Sequence, residues 1–436
     1  MTVARVILML HGPTAPFWRE LGCAFENAGH RVIKVHFAMG EFVYWRRLGG
    51  IHYRGSLAKW PDFLRRLVAR EGITDIVYYA DRFAYHVVAR QVADEAGIGS
   101  YAIENGYLRP DWLTLERGGM GAYSHLPTDP ETYRHLAADL PPPDLVMRYP
   151  TGFWREILNE ITYAWFNYLY TPLYPGFQSG KHYHPIGEVL VGIPHLMRQR
   201  GLERVAAQVT QTVQARGNPY FVLPLQLQGD YQIRDNSPFT HIAEMIEAVF
   251  ASFARHAATE AELVVKQHPH DNGAERFDMV VEAAARRHGL AGRVHFIDGG
   301  DLGALLAQAR GCVMINSTVG LFSLRRQCPT KILGAAVYDM PGLTHQGSLE
   351  SFWHAPEPVD GALVEAFIRV LAAAIQVKGS FYHKQGRHVA VETVVQRILG
   401  GTVNQPGAFV DPPPRLDKAR SLGIPVDRSP VAGAQR

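Results

Sequence analysis

Apolar runs and helical periodicities alternate along most of the chain. Residues 3–10 form a near-continuous apolar run, the pattern of a parallel strand covered on both faces. The His11-Gly12-Pro13 turn leads to a helix over 17–28, closed by Gly29. Strands at 31–37, 75–79 and 100–103 then alternate with helices at 60–71 and 82–96. Residues 111–150 read as loop. Residues 152–178 form the most aromatic stretch, and residues 196–214 a polar helix that the Arg216-Gly217-Asn218-Pro219 turn ends. A second series follows, with strands at 220–225, around 264–265, and at 294–297, 311–315 and 330–333. Its helices fall at 239–257, 275–288, 301–309, 321–327, 359–376 and 389–399, the first capped by Ser237 with Pro238 at its first position. Two such series predict an α/β protein. Residues 1–215 make an N-terminal Rossmann-like domain, 216–380 a C-terminal one and 381–402 a closing helix. Residues 403–436, Pro- and Gly-rich without periodicity, read as a disordered tail.

Composition narrows the class. The 436 residues exceed one ordinary core, and 47% apolar with 19% charged residues is globular. A formal charge of +3 gives no footprint for nucleic acid. Cys23, Cys312 and Cys328 form neither a CxxC pair nor an even disulfide set, which fits a reducing compartment. The N-terminus reads as a first strand rather than a signal peptide, and no stretch reaches the roughly 18 apolar residues of a membrane span.

The chemistry gathers at the carboxyl ends of strands, the ligand edge of open α/β sheets. In VVKQHPHD (264–271), Pro269 must stop the strand, so Lys266 and His268 come together either as a phosphate-binding pair or as part of a solvated βα loop. The turn Asn316-Ser317-Thr318-Val319-Gly320 opens a helix, where backbone N–H groups and hydroxyls suit an anion. Gln226 and Asp230 follow the first strand of the second series. Asp230 is either a turn residue or the carboxylate beside an anomeric centre, acting as nucleophile or charge stabiliser. In the first series, Glu104 and Arg109 either face a ligand or pair on the surface, with Gly106 allowing a turn at positive φ. The aromatic stretch serves either as core or as a membrane-surface contact, in which Lys181-His182-Tyr183-His184 would meet anionic headgroups. GxxxxGK[ST], GxGxxG, DxD, HExxH and GxSxG patterns are absent, so no P-loop, dehydrogenase, serine-hydrolase elbow or required metal or cofactor is indicated. Two βα domains with facing polar edges describe a glycosyltransferase B (GT-B) fold.

Five stretches carry a family resemblance: ENGYLRPDWLTLE (104–116), LPLQLQGDYQI (223–233), VVKQHPHD, INSTVGLFSL (315–324), and the run from LGAAVYDMPGLTHQGSLESFW (333–353) to GSFYH (379–383). Over roughly residues 1–400 the chain resembles the capsule polysaccharide biosynthesis family of KpsS-type β-Kdo transferases. The resemblance implies CMP-Kdo as donor, a phosphatidylglycerol-type glycolipid as acceptor, retention at the transferred centre, and a peripheral place on the cytoplasmic side of a Gram-negative inner membrane. It implies a second Kdo transferase and capsule-export machinery as partners. It makes Asp230 the catalytic carboxylate of a QxxxD motif and assigns His268 and Pro269 to CMP and Ser317 and Thr318 to its phosphate. Glu104 stands where related enzymes carry an acidic-Gly motif, here altered to Glu-Asn-Gly. The acidic residue that some relatives place after Gly320 is missing near Phe322 and Ser323. Gln226, Lys266, Asn316 and Gly320 complete the expected donor site, and Arg109 the acceptor side. Two other readings stay open: a transferase of CDP-linked glycerol or ribitol phosphate, and a non-catalytic capsule-export partner.

Overall fold

The computed structural model describes residues 4–150, 152–178 and 185–427. The first sheet collects β1 (Val6–Met9), β2 (Arg31–His36), β3 (Ile51–His52), β4 (Asp75–Tyr79), β5 (Gly99–Asn105) and β6 (Trp112–Arg117). The second collects β7 (Tyr220–Pro224), β8 (Glu262–Lys266), β9 (Val294–Ile297), β10 (Gly311–Met314) and β11 (Thr330–Ile332). One late strand, β12 (Gln376–Lys378), returns to the first sheet. The orders are β12-β6-β5-β4-β1-β2-β3 and β11-β10-β7-β8-β9. β1 and β7 lie inside their sheets, and Ile7, Leu8, Met9, Phe221, Val222 and Leu223 are fully buried. Their apolar side chains, covered by helices on both faces, explain the unbroken hydrophobic runs. The architecture is the GT-B arrangement of two Rossmann-like domains.

Several expectations change. Residues 111–150 contain β6, antiparallel to β5, and a helix Pro130–Ala137 whose cap is Asp129. The alternation in Trp112-Leu113-Thr114-Leu115 is the strand signal, and a tight approach rather than a loop joins it to β5. Gly106 supports that approach: a Cβ there would lie 2.5 Å from the Trp112 carbonyl, and its φ is not among the positive ones. The helix expected from residue 239 begins at Ile242, with His241 and Glu244 forming its capping box. Ser237 instead donates its hydroxyl to the Ile233 carbonyl at 2.5 Å. The boundary at residue 380 lies too late, because β12 pairs antiparallel with β6. Helix Lys384–Leu399 then packs on helix Phe17–Asn27 of the first domain.

The stretch expected to be a disordered tail is packed as far as residue 427. Asn404, fully buried, accepts the Arg117 N–H at 2.9 Å. The Phe409 ring stacks on His125 at 4.2 Å. A short helix, Leu416–Ser421, follows, and Ile424 and Val426 are buried beyond it. The decisive residue is Arg415. Its buried guanidinium donates to Leu126 O at 2.6 Å and Pro127 O at 2.9 Å from the first domain, and to Ala336 O at 3.3 Å and Val337 O at 2.6 Å from the second. A guanidinium carries enough donors to satisfy carbonyls on both sides, which a low-apolarity segment can do without a core of its own. Arg415→Ala leaves those carbonyls without their donor. We expect it to lower stability by about 3 kcal/mol, read as a drop in the urea midpoint, with Arg415→Lys recovering only part. An unchanged midpoint in Arg415→Ala would show that the segment does not clamp the domains.

Candidate functional site

Strand register builds the second-domain half of the site. Val222 sits beside Val264 on one side and Cys312 on the other. Gln226, His268 and Asn316 each lie four residues beyond that row, so three loops leave the sheet side by side. Gln226 and Asn316 then pair: the Gln226 amide donates to Asn316 Oδ1 at 3.0 Å, and the Asn316 N–H donates back at 3.3 Å. Asn316 Nδ2 holds the carbonyls of Gln232 and Asn236 at 3.0 and 3.1 Å. These two residues therefore anchor the short helix Tyr231–Asn236, and their amides are occupied within the protein.

Asp230 is the cap of that helix. One carboxylate oxygen, Oδ1, accepts the Gln232 N–H at 2.9 Å. The second oxygen is left for the cleft, whose wall Asp230 forms. Burial raises its pKa, against the Gln232 hydrogen bond and the positive charge of Arg109. The capping reading and the chemical reading are thus compatible.

Across the cleft, Glu104 at the end of β5 accepts a hydrogen bond from the Tyr231 hydroxyl. Burial pushes its pKa up to about 7; the Tyr231 bond opposes this, and the charges of Asp230 and Asp81 reinforce it. Two carboxylates from opposite domains thus share one desolvated space, the arrangement that separates acid and base roles. Arg109 is exposed and lines the same cleft, where its charge lowers the carboxyl pKa of both Glu104 and Asp230. The cleft is open to solvent and also takes His268, Ser317 and Thr318 into its wall.

His268 Nδ1 accepts the His270 N–H at 3.1 Å, which places the neutral ring's proton on Nε2 as a donor. Burial, then the neighbouring His270, Arg109 and Lys266, lowers its pKa to about 4. Pro269 is exposed at the turn and outside the cleft wall. Lys266 is a correction. It is 5% exposed, does not line the cleft, and faces Asp298 and Asp301 instead. The last strand position directs its side chain away from the loop that follows, so polar character alone did not reveal its direction.

The 316–320 turn is also less open than expected. Val319 N–H bonds to Ser317 Oγ at 3.2 Å, Gly320 N–H to Ser317 O at 2.9 Å, and Leu321 N–H to Thr318 O at 3.2 Å. Gly320 is a packing position: a Cβ there would lie 2.2 Å from the Tyr338 hydroxyl, which donates to the Ser317 carbonyl. What remains for an anion is the Ser317 and Thr318 edge beside His268.

Four participants escaped the sequence reading. Tyr231 and Tyr338 resemble ordinary apolar-period residues. Asn236 is fully buried and accepts the Ala122 N–H of the first domain at 3.0 Å. Asp81, 1% exposed, follows β4 after Ala80 at φ +55° and accepts the Met120 N–H at 2.9 Å. A run of polar residues at another strand's carboxyl end was the one signal for Asp81. The Lys181–His184 stretch lies outside the described residues. Among the described residues, no helix is long and apolar enough to cross a membrane.

A family model described as capsule polysaccharide biosynthesis protein matches residues 74–382. The chain is 31% identical over 376 residues to the capsule polysaccharide export protein KpsS of Escherichia coli, covering 86% of this chain and 96% of that one. It is 29% identical over 393 residues to the capsule polysaccharide modification protein LipB of Neisseria meningitidis, covering 87% and 92%. Among solved structures, the β-Kdo 2,7 transferase of Thermosulfurimonas dismutans KpsC superposes with a TM-score of 0.41 at 13% identity, over 89% of this chain and 98% of that one. With the family model spanning most of the chain and KpsS matched over nearly its whole length, this protein belongs to the capsule polysaccharide biosynthesis family.

Proposed function

We propose that the protein is a retaining glycosyltransferase that moves Kdo from CMP-Kdo to a phosphatidylglycerol-type lipid, starting the linker of a capsular polysaccharide at the inner membrane's cytoplasmic face. The observation that carries this reading is the meeting of Asp230 and Glu104, from opposite domains, in one cleft with His268 and the Ser317–Thr318 edge. Family membership supports the polysaccharide chemistry.

In this reading the donor phosphate rests on Ser317, Thr318 and His268 Nε2–H. The free oxygen of Asp230 attacks the anomeric carbon as its bond to the phosphate oxygen breaks, and CMP leaves with the electron pair. An acceptor hydroxyl then attacks from the face CMP vacated. Its proton passes to the Glu104 carboxylate, and the bond to Asp230 breaks. Two inversions give retention. A base with a pKa near 7 is matched to that proton transfer at neutral pH. Arg109, beside both carboxyls, is placed to meet the acceptor phosphate.

Asp230→Asn is expected to reduce CMP release from CMP-Kdo by about a thousandfold or more, with CMP affinity little changed. Release at the wild-type rate would remove Asp230 from the scheme. Acceptor-dependent release from CDP-glycerol instead would support the phosphotransferase reading. Absence of release from either donor, with active controls, would favour an export partner, a role that the KpsS name assigns to that relative.

Glu104 carries a separate prediction. Its folded pKa of about 7 lies above the ordinary value of 4.5, so the native state holds the proton longer than the unfolded chain does. Wild-type stability must therefore fall, from this group, as pH rises from about 4.5 to about 7, and level off above. Glu104→Gln removes that dependence. Urea unfolding at pH 5 and pH 8 should show the variant gaining on wild type at the higher pH. An equal difference at both would mean that Glu104 is not held protonated by its surroundings.

A further inference from the structure

Helix Phe153–Leu169 has its polarity reversed relative to an ordinary surface helix. Its inward face buries one ring, Tyr163, and is otherwise held by polar bonds. Tyr44 donates its hydroxyl to the Asn159 carbonyl at 2.8 Å, and Asn167 Oδ1 accepts the Gly40 N–H at 2.7 Å. Thr14 donates to Glu160 at 2.8 Å, so polar bonds seat the helix over the carboxyl edge of the first sheet. Its outward stripe is apolar. Trp154 is 70% exposed, Leu158 64%, Trp165 53% and Leu169 64%, at spacings of four, seven and four residues that keep them on one face. Leu173 continues the stripe past the helix end, and Leu48 adds a 94% exposed side chain on the loop after helix Met39–Trp45, which packs alongside.

Exposed cations lie on this helix and on the elements near it: Arg155, which also donates to the Tyr382 carbonyl at 3.4 Å, Arg46 at the end of the neighbouring helix, and Arg54 near Tyr174. The helix's two acids, Glu156 and Glu160, lie off the stripe. Glu160 takes the Thr14 hydroxyl, and burial raises the Glu156 pKa against the charge of nearby Arg109. Arg109 acts in the same way on Asp230, so the inner side of this helix and the cleft share one cation.

From this we infer that the outward face of helix 153–169 docks on an anionic lipid bilayer, with Trp154, Leu158, Trp165 and Leu169 entering the headgroup–acyl boundary. Two indole rings within an apolar stripe match the amphipathic depth of that boundary, and the exposed arginines nearby match anionic headgroups. Docking in this pose sets the Arg109 mouth of the cleft beside the membrane. The inference deepens the lipid-acceptor reading on which it rests, by naming the surface that brings the acceptor to the site.

The test is co-sedimentation of the full chain with vesicles of phosphatidylglycerol and phosphatidylcholine, without donor. Wild type should bind, less at high salt, and brominated phosphatidylglycerol should quench tryptophan emission. Combined Trp154→Ser, Trp165→Ser and Leu169→Ser should cut partitioning about tenfold or more and abolish most of the quenching. The thermal midpoint should stay unchanged, since these side chains leave the core intact. Single Trp165→Phe should bind as wild type does while losing part of the quenching, which guards against a folding artefact in the triple variant. Equal partitioning of the triple variant and wild type would overturn the inference. So would absence of wild-type binding, a wild-type dimer that the triple variant dissolves, or binding only to native membranes that still hold their proteins. CMP titration, run in parallel, reports on the catalytic reading alone: vesicle binding without CMP binding would sink that reading and leave docking in place.

Discussion

The site depends on how one six-residue helix, Tyr231–Asn236, is held between two domains. Asn316 and Gln226 fasten it to its own sheet through side-chain amides. Asn236 fastens it to the Ala122 N–H, and Tyr231 to Glu104, in the other domain. Asn236 is fully buried, so losing either partner would strand a polar amide away from water. A closed cleft satisfies these groups together. Asp230 caps this same helix, so the separation of the two carboxylates is set by the bonds that set the domain separation.

That coupling has an electrostatic consequence. Burial dominates the shifts of both Asp230 and Glu104, and Arg109 opposes it in each case. A carboxyl pair in a desolvated cleft is strained in its charged form, and a single exposed cation moderates the strain. His268 contributes differently. Burial holds it neutral, and it offers one directed N–H without adding a further positive charge to the cleft.

The stretch 403–427 and the aromatic helix show two ways of using surface. Residues 403–427 pack a few apolar side chains, Ala419, Ile424 and Val426 among them, and the buried guanidinium of Arg415 bonds to carbonyls of both domains, two of which belong to residues of the cleft wall. The helix at 153–169 carries much apolar material and keeps its most apolar side outward. The first case spends polar groups on closure. The second leaves apolar surface uncovered in a chain whose polar groups already hold the helix in place, which is the condition under which exposed tryptophans report on a partner phase.

Period and punctuation in the sequence determined the two βα series, nearly all the central strands, and the loops at which the chemistry gathers. Buried parallel strands must be apolar along their whole length, and Pro269 and the glycine stops mark their ends without reference to anything distant. Asp230, Glu104, His268, Arg109, Ser317 and Thr318 were legible for that reason, and they line one cleft. Tertiary structure alone decided the rest. Lys266 turned to Asp298 and Asp301, Gly106 and Gly320 proved to be close-packing positions, and Gln226 and Asn316 spend their amides on each other. β12 crossed back to the first sheet, and Arg415 ordered a segment whose composition reads as disordered. Each of these outcomes rests on a partner roughly six to three hundred residues away, and local pattern records what a residue can do but not which neighbour the fold will bring to it.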